Sequence, residues 1–439
     1  MMSSPLITVP SLALLFAGML WSISILAKRF QWHCEVSRKA AHVGMGLVTL
    51  SFPWIFDSIT PVLVLGIVLI GGLVLVRCSQ RLRCQVGGAL HGIERKSFGE
   101  IYFAAAVVIV FWLAKGDPIL FCVPILVLTV ADAAGALVGR RYGEMKFDTL
   151  SGRKSTEGCI TVFLVTFFAA HIPLLLFSEI SRSGAMIIAL SLAILVMLFE
   201  AIAFDGLDNL FIPLGGWFAL NRFMDLDDQA MLARFVVLVV LLFFVIGAKK
   251  RSSLDGSGIL GCVLLGYACL SLGGFLFFLP LLLFFVSHLI ETPRIRRSGK
   301  ADTLRHDLRA VFAIAATSMF WVVLKTGIGI QALLPFTIAL GIHFAISNYG
   351  TLTMVRPEWN RRTRIAAATV KASFIIFLPL AVLDWPGTLS LLVGVGALFL
   401  GALIFSIRYS DDVPDTTRRW IEQTVLVLIL SSTGLLIRG

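Results

Sequence analysis

Residues able to do chemistry collect in four short tracts: RKAAHVG (38–44), ADAAGALVGRRYG (131–143), SGRKSTEG (151–158) and EAIAFDGLDNLFIP (200–213). Each lies inside or at the end of an apolar run, where an ionisable side chain is costly in lipid and points to function. In the first tract Arg38, Lys39 and His42 stand at the start of a span, as a basic membrane anchor or as a contact for an anion. In the second, Asp132 lies roughly two turns inside a span and must be paired, protonated or bound to metal. Gly135, Ala136 and Gly139 follow it on one smooth face that admits either a close helix or a ligand. Arg140 and Arg141 come next, at the membrane surface; a structural Asp–Arg pair is the plainer alternative. In the third, Ser155 or Thr156 caps the following helix, with Glu157 in its first turn and Lys154 ahead of it. Basic residues before a helix N-terminus suit phosphate, although an ordinary cap behind a basic loop looks the same. The fourth brings together Glu200, Asp205, Asp208 and Asn209, hard oxygen donors that suit Mg²⁺ bound jointly with substrate phosphates. A solvated acidic loop is the rival reading.

Metal-binding acids and phosphate-binding cations beside lipid are the minimum set for phosphoryl transfer, where positioning and charge neutralisation do most of the catalysis. On this reading Asp132, Asp208 and Lys154 are the catalytic candidates. Asp132, Glu157, Asp205, Asp208 and Asn209 are candidate metal ligands. Arg38, Lys39, Arg140, Arg141, Lys154, Ser155 and Glu157 are candidate nucleotide contacts. The chain has no GxxxxGK[ST] loop, no HExxH and no GxSxG, so a nucleotide site in the four tracts must be of another design.

The elements that carry these residues follow from composition. Of 439 residues 58% are hydrophobic and 14% charged, too little polar surface for a soluble chain of this length. The apolar residues come in runs of 15 to 22, long enough for helices to cross roughly 30 Å of hydrocarbon. Ten-residue alternation, the mark of a membrane β-barrel, is absent. The expected fold is all-α, a polytopic membrane bundle of about 15–16 transmembrane helices. They are placed at 6–27, 41–57, 60–77, 100–115, 118–138, 157–177, 183–204, 208–221, 230–248, 256–271, 273–290, 308–325, 328–349, 364–383, 387–407 and 419–437. The first has neither a basic n-region nor a cleavage site and is read as a retained span.

With the N-terminus outside, the inside loops hold 30 of the 37 Lys and Arg residues. Unless 208–221 crosses or re-enters, Lys249, Lys250 and Arg251 fall on the wrong side. All four tracts then share the inside face, expected to be the cytoplasmic side of a bacterial plasma membrane. The net charge of +11 is that loop bias and does not call for nucleic acid. The seven cysteines show no CxxC and no zinc spacing and read as small buried hydrophobes. The charged tract 249–256 suggests two membrane domains, 1–248 and 249–439.

RKAAHVG, HGIERKSFGEIYF (91–103), DAAGALVGRRYG, GRKSTEG and DGLDNLFIPL, in that order, resemble the motif series of the phytol kinase, dolichol kinase and yeast-type CTP-dependent diacylglycerol kinase family. The resemblance covers about residues 35–245. It implies a multi-span enzyme that phosphorylates a lipid alcohol, commonly with CTP. It also implies metal and nucleotide roles for Asp132, Arg140, Lys154, Glu157, Asp205, Asp208 and Asn209. The chain departs from the pattern at Ala136, where some members carry a second Asp, and at Thr156, where an aromatic is common. Residues 253–278 resemble the opening of the phytyl-phosphate kinase-like membrane family, whose downstream acidic motif is missing here. Ser347-Asn348-Tyr349-Gly350-Thr351 stands nearest to it. The second half is therefore expected to be a scaffold, a substrate-shaping module or a degenerate partner and not a second active site, with Arg294, Arg296, Arg297, Arg305 and Arg309 meeting anionic headgroups. Phospholipid nucleotidyl transfer and lipid transport are the competing functions; the former needs the same metal and phosphate contacts.

Overall fold

In the computed structural model the described residues are 5–78, 98–150, 152–297, 306–384, 387–409 and 416–436. Residues 91–97 of the HGIERKSFGEIYF motif, Arg305, and the side chains of Arg294, Arg296 and Arg297 lie outside them.

Lipid offers no partner for backbone polar groups, so each apolar run satisfies its own as a helix. The chain forms α1 (Pro5–Arg29), α2 (Cys34–Thr49), α3 (Ile59–Cys78), α4 (Gly99–Ala114) and α5 (Pro118–Tyr142). Then come β1 (Lys146–Thr149), β2 (Gly152–Ser155), α6 (Thr156–Phe177), α7 (Arg182–Ile202), α8 (Asp208–Met224) and α9 (Asp228–Gly247). The remainder is α10 (Gly256–Ala268), α11 (Phe275–Arg297), α12 (Leu308–Ile328), α13 (Leu333–Val355), α14 (Arg361–Ala372), α15 (Thr388–Arg408) and α16 (Thr417–Ser431). A π turn, Ser373–Phe377, carries α14 on into Leu378–Leu383. The protein is thus an all-α, multi-pass membrane bundle: among the described residues, 12 helices are long and apolar enough to cross a membrane. Helices α2, α4, α8 and α16 stand at four further expected positions but are shorter, 15 to 17 residues. Large apolar side chains such as Phe168, Phe177, Phe374 and Leu392 stand exposed, as a lipid-facing surface requires.

The chain folds as two compact units, Met1–Val236 and Val237–Gly439. In the first, α5 is central and packs on α2, α6 and α8, while α7 lies between α6 and α8. The smooth face of α5 is used for a close helix. A Cβ on Gly135 would stand 2.3 Å from Val162 Cγ2, and one on Gly158 would stand 3.0 Å from Gly135 O. In the second unit α13 is buried along most of its length and packs on α11, α12, α14, α15 and α16.

Two local features differ from expectation. Helix α2 begins at Cys34, where His33 Nδ1 accepts the amide of Glu35, so Lys39 lies within the helix and not ahead of it. The tract between α5 and α6 forms an antiparallel hairpin in which Phe147 pairs with Lys154 and Thr149 with Gly152.

Candidate functional site

Asp132, buried on α5, is reached from α2. Lys39 Nζ donates to Asp132 Oδ1 at 2.6 Å, and each side chain is only 3% exposed. His42, one turn further along α2, lies with Nε2 3.1 Å from Leu128 O and 3.5 Å from Asp132 Oδ2. Its ring meets Phe103 of α4 edge-on. A buried carboxylate needs a cation, and two residues of one helix face supply the lysine and a second nitrogen.

A second pair forms at the end of α7. Lys154 Nζ, carried by the hairpin, donates to Glu200 Oε1 at 2.9 Å and also to the Glu200 backbone carbonyl. Lys154 lies outside the membrane-spanning segments. Burial works against its charge, but the Glu200 carboxylate, and then Asp208, outweigh it and raise the ammonium pKa above its ordinary 10.5. Lys154 is therefore a fixed cation.

Asp208 completes the centre from the first turn of α8, where the helix N-terminus favours a negative charge. Its Oδ1 accepts the Asn209 amide at 3.0 Å and Asn209 Nδ2 at 3.3 Å. Asp132, Glu200 and Asp208 each offer an oxygen, and these lie within 4.8 Å of one another. Two carboxylates that close repel by about 3.5 kcal/mol at an effective dielectric near 20, a repulsion that Lys39 on Asp132, Lys154 on Glu200 and Arg38 nearby offset. Asp132 Oδ2, Glu200 Oε2 and Asn209 Oδ1 are moreover buried and accept no hydrogen bond. Hard, unsatisfied oxygens this close fit a divalent cation such as Mg²⁺, whose opposite octahedral ligands stand ~4.2 Å apart. Arg38, paired with Glu35 at 2.6 Å, is close enough to Asp132 and Asp208 to act on both electrostatically.

The other sequence candidates take different places. Asp205 is exposed, with a φ of 52°, and its carbonyl accepts the amide of Phe98; it is not in the carboxylate cluster. Glu157 Oε1 accepts the Met145 amide at 3.0 Å, while Thr156 N donates to Met145 O at 2.8 Å, so both close the base of the hairpin. Ser155 Oγ caps α6 by accepting Gly158 N at 3.1 Å. The amides of Thr156 and Gly158 are thus engaged within the hairpin and the cap. Arg140 is exposed and meets the His33 ring; Arg141 is exposed and stacks over Tyr142. Glu200, named among the oxygen donors of the fourth tract but left out of the candidate ligands, is the acid that the structure adds to the cluster. Its signal was its place, the one acid still on the apolar run of α7.

No family model matches the chain, and no solved structure does. Among curated proteins, the phytol kinase of Synechocystis sp. is 28% identical to it over 222 residues, which is 49% of this chain and 91% of the relative. Over about half its length the protein is a distant relative of a phytol kinase.

Proposed function

We propose that the first unit transfers the γ-phosphoryl group of a nucleoside triphosphate, CTP foremost, to the hydroxyl of an isoprenoid or related lipid alcohol. The observation that carries this is the meeting of Asp132, Glu200 and Asp208 from three helices, with Lys39 and Lys154 on two of the three carboxylates. A distant likeness to a phytol kinase supports an isoprenoid alcohol as acceptor.

Asp132, Glu200 and Asp208, with Asn209 beside them, are the residues that would hold Mg²⁺. The ion supplies charge neutralisation of the polyphosphate. Lys154, held charged by its carboxylate partner, and Lys39, paired with Asp132, face the phosphoryl oxygens, and Arg38 adds a third positive charge nearby. The lipid lies with its chain among the helices and its hydroxyl at the carboxylates. As that oxygen bonds to the γ-phosphorus, the bond to the β-phosphate oxygen breaks and the nucleoside diphosphate leaves. The hydroxyl proton passes to a carboxylate. Asp208 suits this, since Asp132 and Glu200 each already hold a lysine. The Lys/Arg-rich loops favour the cytoplasmic face of a bacterial plasma membrane for the site.

The test uses purified protein with Mg²⁺, CTP labelled at either the α- or γ-phosphate, and phytol, farnesol, a polyprenol or diacylglycerol. Label from the γ position alone should appear in a lipid monophosphate. Label from the α position in lipid would instead mean nucleotidyl transfer.

A further inference from the structure

The second unit contains a cavity that the kinase reading does not use. It follows α11 from Phe278 to Ile295, and at ~1.5 Å per residue this is ~25 Å of helix. Its character changes along that length. Phe278, Phe284 and Phe285 line one half, whereas His288 and Glu291 line the other. A long apolar trough ending in polar groups has the form of a site for one extended lipid chain with a polar head.

The hydrogen-bond directions define what head fits. Thr317 Oγ1 donates to Ile314 O at 2.9 Å, so towards His343 Nε2, 3.1 Å away, it can only accept. The proton of His343 therefore sits on Nε2, and Nδ1 accepts. Nδ1 takes Gln423 Nε2–H at 2.8 Å, which orients the amide and leaves Gln423 Oε1 as an acceptor. That oxygen is buried and accepts no hydrogen bond, on a residue 4% exposed that lines the cavity together with His343. A carboxylate or a fully ionised phosphate has no hydrogen to give it; a hydroxyl has. We infer that the second unit binds a long-chain lipid alcohol, its chain along the phenylalanines of α11 and its hydroxyl donating to Gln423 Oε1. This inference is independent of the phosphoryl-transfer reading, because the residues belong to the other unit.

The test uses the full chain in phosphatidylcholine nanodiscs with a diazirine-bearing saturated long-chain alcohol. Photolabelled peptides are mapped, and only those within Val237–Gly439 count. Unlabelled eicosanol, eicosanoic acid and eicosyl phosphate serve as competitors. Expected is labelling on α11 between Phe278 and Glu291, displaced by eicosanol at about tenfold lower concentration than by the acid or the phosphate. Gln423→Leu should weaken the alcohol by a similar factor and abolish the preference. Gly350→Leu grows from a cavity-lining position with open space at its Cβ and should block labelling; it carries the test if Gln423→Leu does not fold. Equal competition by all three lipids, labelling confined to lipid-facing positions such as Phe374, or full labelling of a folded Gly350→Leu would overturn the inference.

Discussion

Lys39 Nζ and Asp132 Oδ1 are 2.6 Å apart across two helices, and both side chains are almost wholly excluded from solvent. Removing one partner of such a pair strands a buried charge and costs about 3–5 kcal/mol, whereas replacing both by apolar residues is often tolerated. Asp132→Asn and Lys39→Met should therefore each lower thermal stability, and Lys39→Met with Asp132→Leu should recover it. Activity should stay at least 100-fold down, by order of magnitude, in all three. Recovery of turnover along with stability in the double variant would reduce the pair to a structural one.

Asp205 and Asp208 separate the ligand sets. Asp205 is exposed, and its backbone makes the contact with Phe98; Asp208 is in the carboxylate cluster. Asp205→Asn, a residue that tolerates positive φ, should keep turnover within about threefold. Asp208→Asn should lose at least about 100-fold, measured as lipid phosphate formed per minute. The reverse order would move the metal site into the loop.

Lys154 bears on pH dependence. Its pKa in the folded protein is raised, so its ion pair contributes fully below pH 10.5 and fades only as pH climbs through the higher folded value. The difference in Tm between wild type and Lys154→Met should stay constant from about pH 9 to about pH 10 and shrink above that. A difference already lost as pH rises to about 9 would show that Lys154 is not held charged.

The α5–α6 contact supports the hairpin and with it Lys154. A Cβ on Gly158 would lie 3.0 Å from Gly135 O and 3.2 Å from Gly139 Cα, both backbone atoms. Gly158→Val should cost about 1–3 kcal/mol through overpacking, and should raise KM for the nucleotide as Lys154 moves. Unchanged Tm and KM would mean that the two helices slide apart freely.

The helices were legible because lipid leaves each apolar run a single way to satisfy its backbone. The broken run at 208–221 could be placed by charge bias alone, and it is helix α8. Side chains near helix ends were harder. The start of α2 lies before Arg38 because His33, an unusual cap, holds the Glu35 amide; the basic residues then sit on turns already formed. The hairpin, at four residues a strand, was too short to show a period. Asp205 and Glu200 are close in sequence, but a turn with positive φ at Asp205 and Gly206 sends one carboxylate out while the helix keeps the other in. Residue counting does not resolve that reversal.

The most direct measurement is Mn²⁺ titration of the purified protein with and without CTP, read by electron paramagnetic resonance. Expected is one tightly bound Mn²⁺ with phosphorus coupling from the nucleotide, retained in Asp205→Asn and lost in Asp132→Asn and Asp208→Asn. Wild-type Mn²⁺ binding in both of the latter variants, or no nucleotide-dependent binding at all, would contradict a shared carboxylate centre.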